Sequence, residues 1–230
     1  MGEDGCLYLV ATPIGNMLDF TPRGREVLSA CDLVACEDTR VTAKLLSRFE
    51  ICTPMISYRE ENERKRSEFL AKEICDGKKV ALVSDAGYPG ISDPGFRLIR
   101  ECRRKNLKIV AIPGPNAAIT ALSVSGLPTH NFLFLGFPPK GKLAFQNLLR
   151  KWIEFEGSLI FYQSKYKVES TFESLEAVFG EMRYISVSRE LTKMHENTEV
   201  GTILQVRERF LSSSQKGEFT FVVAPSGFKL

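Results

Sequence analysis

The sequence predicts an α/β protein of two domains, the first with a mostly parallel sheet and the second with a mixed sheet, both carrying helices. Two observations support this. Short apolar runs alternate with helical patterns through the first half, which is typical of βαβ units. After IPGPNA (112–117) the strand-like runs become more aromatic and β-branched. We therefore place the boundary near 112–118, with domains at 1–113 and 118–230 and any shared cleft between them.

The N-terminal elements follow from local patterns. Thr21 is the predicted N-cap of a helix that has Pro22 at its first position. A later helix is amphipathic, with Phe69, Leu70 and Ile74 predicted on its apolar face. The predicted strands are 7–10, 33–36, 55–57, 80–83 and 108–112, and the predicted helices are 21–31, 39–48, 61–75 and 94–104.

The C-terminal half begins with a helix of small residues, AAITALSVSG. Its strands are marked by runs such as FLFLGF and SLIFYQS, which are rich in aromatic and β-branched residues. The predicted strands are 132–137, 158–164, 183–189, 195–202 and 219–225, and a second helix is predicted at 166–179.

Composition excludes several protein classes. The 230 residues are 43% hydrophobic and carry a net charge of only +3, so any nucleic-acid contact depends on local charge. No apolar run approaches the roughly 20 residues of a membrane span, and the start MGEDGC has acids where a signal peptide has bases. Six cysteines without a CxxC pair and two histidines give no zinc spacing. We expect a cytoplasmic protein without a metal or membrane partner.

Loops that follow the predicted strands indicate a binding rim. In an open α/β sheet, ligands bind beyond the carboxyl ends of the strands. Four such loops follow the first, second, fourth and fifth strands, and three of them are rich in glycine or proline, which allow close backbone approach and hold a fixed shape. These loops are 11–16, 37–40, 84–95 (SDAGYPGISDPG) and 113–116.

The ligand is only partly defined by these loops. They contain neither G-x-G-x-x-G nor a P-loop with its lysine. Glu37 or Asp38 is compatible with ribose binding, although Asp38 is equally a candidate cap for the helix that starts at Thr39. Backbone groups and small side chains suit a ligand with adenine and amino-acid ends, without singling one out.

Six segments, in order and with similar spacing, resemble the ribosomal RNA small subunit methyltransferase I family of the tetrapyrrole methylase superfamily. They cover about residues 7 to 224, and their combination in register is very specific. The segments are LYLVATPIGNMLDFTPRG, LVACEDTRVTAKLL, SYREENE, ALVSDAGYPGISDPGFRLIR, IPGPNAAITALSVSGLP and SRELTKMHE.

The resemblance implies a two-domain α/β homodimer that binds S-adenosylmethionine in the cleft between the domains. It implies methyl transfer to the ribose 2′-hydroxyl of a cytidine in the decoding region of 16S rRNA, within the 30S subunit. Carried over by position, it also implies a set of cofactor-binding residues. These are Pro13, Ile14, Ala86, Gly87, Tyr88, Ile91, Asn116, Ala117, Tyr162, Glu190, Leu191 and Phe219.

This sequence departs from the family in two places. Tyr88 stands where the family usually has threonine, and its ring could stack on the cofactor or narrow the pocket. This sequence also ends with FTFVVAPSGFKL, so we expect it to lack the small helical extension of many relatives, along with any contact to rRNA that the extension provides.

The catalytic base is not named by any motif. A ribose hydroxyl needs alignment and a positioned base, and Glu190 is the first candidate because the resemblance places it at the cofactor. Its alternative role is a structural ion pair with Arg189 or Lys193. His195 has a suitable intrinsic pKa but is expected to be exposed on a strand edge.

Other polar residues of the rim have open roles. Arg40 is a second candidate at the reacting centre, as a phosphate contact, with a surface ion pair to Glu37 or Asp38 as its alternative. Asp85 and Asp93 are expected to hold the loop, Asp93 as an N-cap before the helix that starts at Pro94.

RNA contact requires basic surface. Lys140 and Lys142, in the loop after FLFLGF, are the favoured RNA contacts because no acid stands beside them in the sequence. The clusters at 64–66 and 103–105 lie on helices with acids nearby and are interpreted as solvated faces.

Two other functions remain open from sequence. One is methylation of a tetrapyrrole precursor or other small molecule, although those relatives carry a G-D-P type loop after the fourth strand where this chain has D-A-G. The other is a non-catalytic, cofactor-binding protein of ribosome assembly, which would bind the cofactor without turnover.

Overall fold

The computed structural model describes residues 5–211 and 216–230. The chain divides into two compact units, Met1–Asn116 and Ala117–Leu230, each of which has its own five-stranded sheet. The prediction of an α/β fold with one parallel and one mixed sheet is confirmed. Residues 1–4, on which part of the signal-peptide argument depends, lie outside the described residues.

The first unit is a doubly wound parallel sheet with strand order β3-β2-β4-β1-β5. The connections after β1 and β2 run toward the β3 edge, whereas those after β3 and β4 run toward the β5 edge, so the neighbouring strands β4 and β1 have connections of opposite direction. The helices cover both faces of the sheet, α1 and α2 on one and α3 and α4 on the other. The strands are β1 (Cys6–Val10), β2 (Leu33–Cys36), β3 (Met55–Ser57), β4 (Lys79–Val83) and β5 (Lys108–Ile112). The helices are α1 (Pro22–Ala30), α2 (Thr39–Arg48), α3 (Glu63–Cys75) and α4 (Phe96–Arg104).

Two helix starts confirm the predicted caps. Thr21 Oγ1 accepts a hydrogen bond from Gly24 N at 3.0 Å and Pro22 opens α1. Asp38 Oδ1 accepts from Arg40 N at 2.8 Å at the start of α2. Both cap by satisfying a backbone donor that the first helical turn leaves without a partner.

Two predictions about helices in this unit are wrong. Phe69 is 42% exposed, whereas Leu70 and Ile74 pack in the core, because the buried stripe of α3 is narrower than the run of apolar residues. Asp93 does not cap α4, which begins two residues later than expected, after Gly95.

The start of α4 is capped instead by a buried group from α3. Glu63, 8% exposed, accepts hydrogen bonds from Gly95 N and Arg97 N, both at 3.2 Å. Tyr58 is 1% exposed, and its hydroxyl accepts from Leu98 N at 3.2 Å and lies 3.1 Å from Glu63 Oε1. This network anchors the far end of the loop at 84–95.

Replacing Tyr58 with phenylalanine is expected to destabilise the first unit by about 1–3 kcal/mol, because Leu98 N would remain buried without an acceptor. Urea unfolding followed by circular dichroism measures this change. Tyr166→Phe is the matched control, since that ring is 83% exposed. Equal unfolding midpoints for the two variants would contradict the assigned role of the Tyr58 hydroxyl.

The second unit is a mixed sheet with strand order β6-β7-β10-β8-β9, in which only β6 and β7 are parallel. Helices α6, α7 and α8 cover one face over a core that includes Phe161 stacked on Phe221, and α5 packs on the sheet through β7, β8 and β10. The strands are β6 (Phe132–Phe134), β7 (Ser158–Ser164), β8 (Tyr184–Arg189), β9 (Asn197–Thr202) and β10 (Glu218–Val223). The helices are α5 (Ala117–Val124), α6 (Lys142–Lys151), α7 (Val168–Phe179) and α8 (Ile203–Leu211).

Strand β6 is shorter than the predicted 132–137 because the chain bends at Gly136, whose φ is +65°. Pairing with β7 continues beyond the strand through Leu135 N to Ile160 O at 2.8 Å and Tyr162 N to Gly136 O at 2.9 Å. Among the described residues, no helix has the length and apolar character to cross a membrane.

Candidate active site

Three loops of the first unit meet at the carboxyl ends of β1, β4 and β5. Gly87, in the loop after β4, pairs with Thr12 in both directions, with N–O distances of 2.9 and 3.1 Å. A Cβ placed on Gly87 would lie 3.5 Å from Ile14 Cγ2 and 3.7 Å from Pro115 O. These contacts lie beside the reversal point between β4 and β1, where α/β sheets bind ligands.

The loop at 84–95 is shaped by its own polar groups and glycines. Thr12 Oγ1 donates to Ser84 O at 3.1 Å, and Ser84 Oγ donates to Gly87 O at 3.2 Å. Gly87 has φ +81° and Gly95 has φ +152°, where L side chains are strained. A Cβ on Gly95 would also lie 2.9 Å from Gly90 N. The glycines therefore allow the loop to fold back on itself against the strand ends.

Tyr88 has a role that sequence reasoning missed. Its hydroxyl accepts a hydrogen bond from Gly114 N at 3.0 Å and so ties the loop after β4 to the loop after β5. Its half-buried ring is thus fixed at one end by the protein itself. Because the bond joins segments 26 residues apart, no local sequence signal predicts it.

The predicted cofactor residues of the first unit occupy these same loops. Pro13 is buried, whereas Ile14 and Tyr88 are half-buried and Ala86 and Ile91 are exposed. Asn116 is also half-buried and ends the loop after β5. The structure therefore brings together Pro13, Ile14, Ala86, Gly87, Tyr88, Ile91 and Asn116 at one rim.

A small open pocket lies on the α2 side of this rim. It has about 40 Å³ of free volume, which is far below the roughly 300 Å³ of a typical small-molecule site. Its lining combines apolar walls with a few polar groups. The lining residues are Thr12, Pro13, Met17, Val41, Thr42, Leu45, Ser84 and Asp85. It can hold a small group of a larger ligand that lies along the rim.

Carboxylates cluster near the pocket. Burial raises the pKa of Asp93 to about 6, with the charge of Asp85 acting in the same direction and a hydrogen bond with Ser84 opposing it. Burial and the charges of Asp93 and Asp85 also raise the pKa of Glu37. Within 5–211 and 216–230, no set of three or more metal-ligating side chains is arranged to hold a metal ion.

The raised pKa of Asp93 predicts a pH dependence of stability. Between its unfolded value near 3.8 and its folded value of about 6, only the folded chain holds the proton, so stability falls as the pH rises through this window. The partly exposed carboxyl is screened by water, which reduces the loss to about 1 kcal/mol.

Asp93→Asn is expected to remove this loss, so its stability relative to the unmodified chain increases from pH 4 to pH 6. Urea unfolding across that range measures the difference. Glu68→Gln, which removes a charge from the exposed side of α3, is the control. A constant difference between Asp93→Asn and the unmodified chain across the range would contradict the prediction.

Arg40 forms an ion pair with Asp38, which the sequence analysis gives as the alternative to a phosphate contact. Its Nε and Nη2 contact both carboxylate oxygens of Asp38, with a shortest distance of 2.6 Å, and its side chain is 84% exposed. The hydrogen bonds and charge of Arg40 hold the pKa of Asp38 well below its usual range. Arg40 can contact a phosphate only by exchanging this partner.

Predicted site residues of the second unit lie at the same end of its three inner strands, β7, β10 and β8. Tyr162 directly follows the buried part of β7, Phe219 is the second residue of β10, and Glu190 directly follows β8. The Tyr162 hydroxyl accepts from Ala118 N at 3.2 Å, next to the predicted residue Ala117. Phe219 and Leu191 are only 2% and 6% exposed.

Phe219 packs in the apolar core, with its ring centroid 5.3 Å from that of Phe210. Its side chain therefore stabilises the second unit, and only its backbone could contact a ligand. Period-two alternation along β10 places Thr220 on the opposite face, where it pairs with Tyr162.

Glu190 is held as a charged carboxylate. Its Oε1 accepts from Glu218 N at 2.9 Å and from Lys193 Nζ at 3.0 Å. Burial alone would raise the pKa of Glu190, but these hydrogen bonds and the charges of Lys193 and Arg189 outweigh it and lower the pKa. The ion pair with Lys193 considered from sequence is therefore present, and His195 is exposed.

The proposed RNA loop differs from its prediction in one respect. Lys142 is the first residue of α6, and its Nζ donates to Glu173 Oε2 at 2.6 Å. The expectation of a loop without a neighbouring acid is wrong, because α7 brings Glu173 from 31 residues away. Lys140 is exposed.

The chain is similar to known proteins in both sequence and fold. The family model for Tetrapyrrole (Corrin/Porphyrin) Methylases matches residues 6–206. The chain belongs to this family. It is also 44% identical over 220 residues, 96% of this chain and 79% of the relative, to a Ribosomal RNA small subunit methyltransferase I of Synechocystis sp.. A relative of the same name from Escherichia coli O157:H7 is 44% identical over 96% of this chain and 78% of its own.

Solved structures of this family share the fold. The crystal structure of the methyltransferase CobJ matches with a TM-score of 0.71 and 17% identity, covering 98% of this chain and 96% of that one. At this level of identity the likeness establishes the fold alone. The closer sequence relatives show that the chain belongs to the ribosomal RNA small subunit methyltransferase I group of the tetrapyrrole methylases.

Proposed function

We propose that the chain transfers a methyl group from S-adenosylmethionine to the ribose 2′-hydroxyl of a cytidine in the decoding region of 16S rRNA. The enzyme is an rRNA methyltransferase, and the observation that carries this is the 44% identity over 96% of the chain to a relative of that name. The methyl donor, the 30S subunit as substrate and a homodimeric state are parts of the proposal. An enzyme that acts on this subunit works in the cytoplasm.

The rim of the first unit fits the methyl donor. Gly87 leaves room where a side chain would otherwise stand, and exposed or half-exposed apolar groups such as Ala86, Ile14 and Ile91 surround it. The backbone at 84–95 and 113–116 can approach a nucleoside closely. In this proposal both units contribute binding residues, Tyr162, Glu190, Leu191, Ala117 and Phe219 from the second.

The bound donor supplies an electrophilic methyl group on a sulfonium. The chain then has to align the ribose hydroxyl and accept its proton. Glu190 is proposed as the acceptor, because its lowered pKa keeps it ionised at neutral pH. Lys193, which is paired to the same oxygen, fixes the direction of the carboxylate.

RNA contacts of the proposal lie in both units. Lys140 is free to approach a phosphate from its exposed loop, whereas Arg40 and Lys142 must first release Asp38 and Glu173. Exchange of the carboxylate for a phosphate costs little, because both cations are exposed and surface ion pairs are weak.

Transfer of labelled methyl from S-adenosylmethionine to 30S subunits that lack the decoding-region ribose methylation tests the proposal. Label recovered as 2′-O-methylcytidine is the expected result, and subunits that already carry the modification are the control. Absence of label from protein that still binds the cofactor would contradict it and would direct attention to a small-molecule acceptor or a binding function without turnover.

A further inference from the structure

Helix α4 concentrates positive charge on a short segment. Residues 96–105, FRLIRECRRK, contain five cations and one acid, a net charge of +4 in a chain whose total is +3. Leu98 and Cys102 are fully buried against the sheet, which turns the cations of the helix outward. The sequence-based interpretation of this cluster as an ordinary solvated face requires acids to balance it, and the segment contains only Glu101.

The pairing of these cations is incomplete. Arg97 contacts Glu63 at 3.2 Å, and Glu101 is shared between Arg104 at 4.0 Å and Lys105 at 3.7 Å. Arg100 and Arg103 are exposed, and the described part of the chain records no ion pair for either. At least two guanidinium groups are thus available for an anionic partner.

An exposed aromatic ring adjoins these arginines. Phe96 is 63% exposed, and the Arg100 guanidinium carbon lies 5.3 Å from its ring centroid. Cations near a helix C-terminus are explained by the helix dipole, which accounts for Arg103 and Arg104. The dipole does not account for Arg100 in the middle of α4 or for an exposed phenylalanine at its first position.

The location of α4 relates this surface to the candidate site. The helix begins directly after the loop at 84–95, so Phe96 lies at the rim where β4 ends. From there the exposed arginines extend about 13 Å along the nine-residue helix. A strand of nucleic acid lying on this face would therefore lead to the rim.

We propose that Phe96, Arg100, Arg103 and Arg104, here named the α4 face, form a docking surface for single-stranded segments of the RNA substrate. The inference rests on the proposed function, since it names where that enzyme holds its substrate. The guanidinium groups contact phosphates, and Phe96 with Arg100 offers a surface on which an unpaired base stacks. The single-stranded form is favoured because bases stacked in a duplex cannot reach a side chain.

The test compares two pairs of substitutions in binding to a labelled single-stranded oligoribonucleotide by fluorescence anisotropy. Arg100→Gln with Arg103→Gln removes two charges from the α4 face. Lys44→Gln with Arg48→Gln removes two exposed charges from α2, on the other face of the sheet. Thermal unfolding of all variants checks that each is folded.

The α4 pair is expected to weaken binding about tenfold and to reduce the slope of log K against log salt by about 1.4. Phe96→Ala should weaken binding about fivefold and leave that slope unchanged, because it removes stacking rather than charge. The α2 pair should change both quantities little. Equal losses for the two pairs, or an unchanged slope for the α4 pair, would overturn the proposal.

The proposed reaction is tested separately with the unmodified chain. If it binds RNA with this α4 dependence but transfers no methyl group to 30S subunits, the reaction is contradicted and the docking surface is supported. If it methylates the subunits while the α4 pair retains full RNA affinity, the docking surface is contradicted and the reaction is supported.

Discussion

Glu190→Gln is expected to lower the rate of methyl transfer by about 10²-fold, with a smaller effect on S-adenosylmethionine binding. Glutamine keeps the shape of the side chain and can still accept the hydrogen bond from Glu218 N. It cannot take a proton from the ribose hydroxyl. The expected loss lies at the low end of the usual 10²–10⁴-fold contribution of a general base, because a carboxylate with a lowered pKa is a weak base.

The pH dependence of the rate gives a second measurement. A base must be deprotonated to act, so activity falls only as the pH drops through its pKa. For Glu190 that pKa lies below the ordinary 4.5, and the rate should therefore show no loss from this group between about pH 5 and 8. A fall in rate near pH 6–7 that persists in Glu190→Gln would instead indicate a histidine base.

Glu218→Gln is the matched control for Glu190. Glu218 contacts the same ammonium, Lys193 Nζ, at 2.9 Å, but its side chain is 81% exposed. Both substitutions therefore remove one carboxylate from Lys193. Equal activities of the two variants would show that Glu190 acts only as a structural partner of Lys193, and the assignment of Glu190 as the base would fail.

Gly87→Val is expected to raise the Kd for S-adenosylmethionine by about tenfold or more. The φ of +81° strains any β-branched residue by about 1–2 kcal/mol. The added methyl groups would also lie among Ile14 and Pro115, where three loops meet, and would separate the paired segments at Thr12. Isothermal titration calorimetry measures the affinity, and thermal unfolding measures the strain.

Gly180→Val separates strain from the site. Gly180 has φ +77°, follows α7 in the second unit, and has no atom within 4 Å of the position of an added Cβ. Its substitution should therefore reduce stability by a similar amount without changing cofactor affinity. If Gly87→Val binds S-adenosylmethionine as tightly as Gly180→Val, the assignment of the loop at 84–95 to the cofactor site is contradicted.

Some features of the site could be predicted because they depend on local chemistry. Asp38 caps α2 through a backbone donor two residues away, and Thr21 caps α1 three residues away. The rim could also be predicted, since parallel strands bring the loops that follow them to one edge of the sheet. The first-unit residues that the resemblance assigns to the cofactor site, such as Pro13, Gly87 and Asn116, accordingly lie together.

Other features depend on contacts between distant segments and could not be predicted. Glu63 caps α4 from 32 residues away, in place of the nearby Asp93. Likewise Glu173 reaches Lys142 from α7. In each case a helix packed alongside supplies the carboxylate, and its position depends on how the helices pack.

The sequence by itself determined the order of strands and helices in the first unit, the change from a parallel to a mixed sheet, the rim of loops and the family, but not helices α6 and α8 of the second unit. These follow from periodicity, turn residues and motifs in register, all of which are properties of short segments. Only the tertiary structure decided that the Tyr88 hydroxyl holds Gly114, that Phe219 is a core residue and that α4 presents an aromatic and cationic face. Those outcomes depend on which side chains burial leaves exposed, and burial is fixed by the packing of the whole unit.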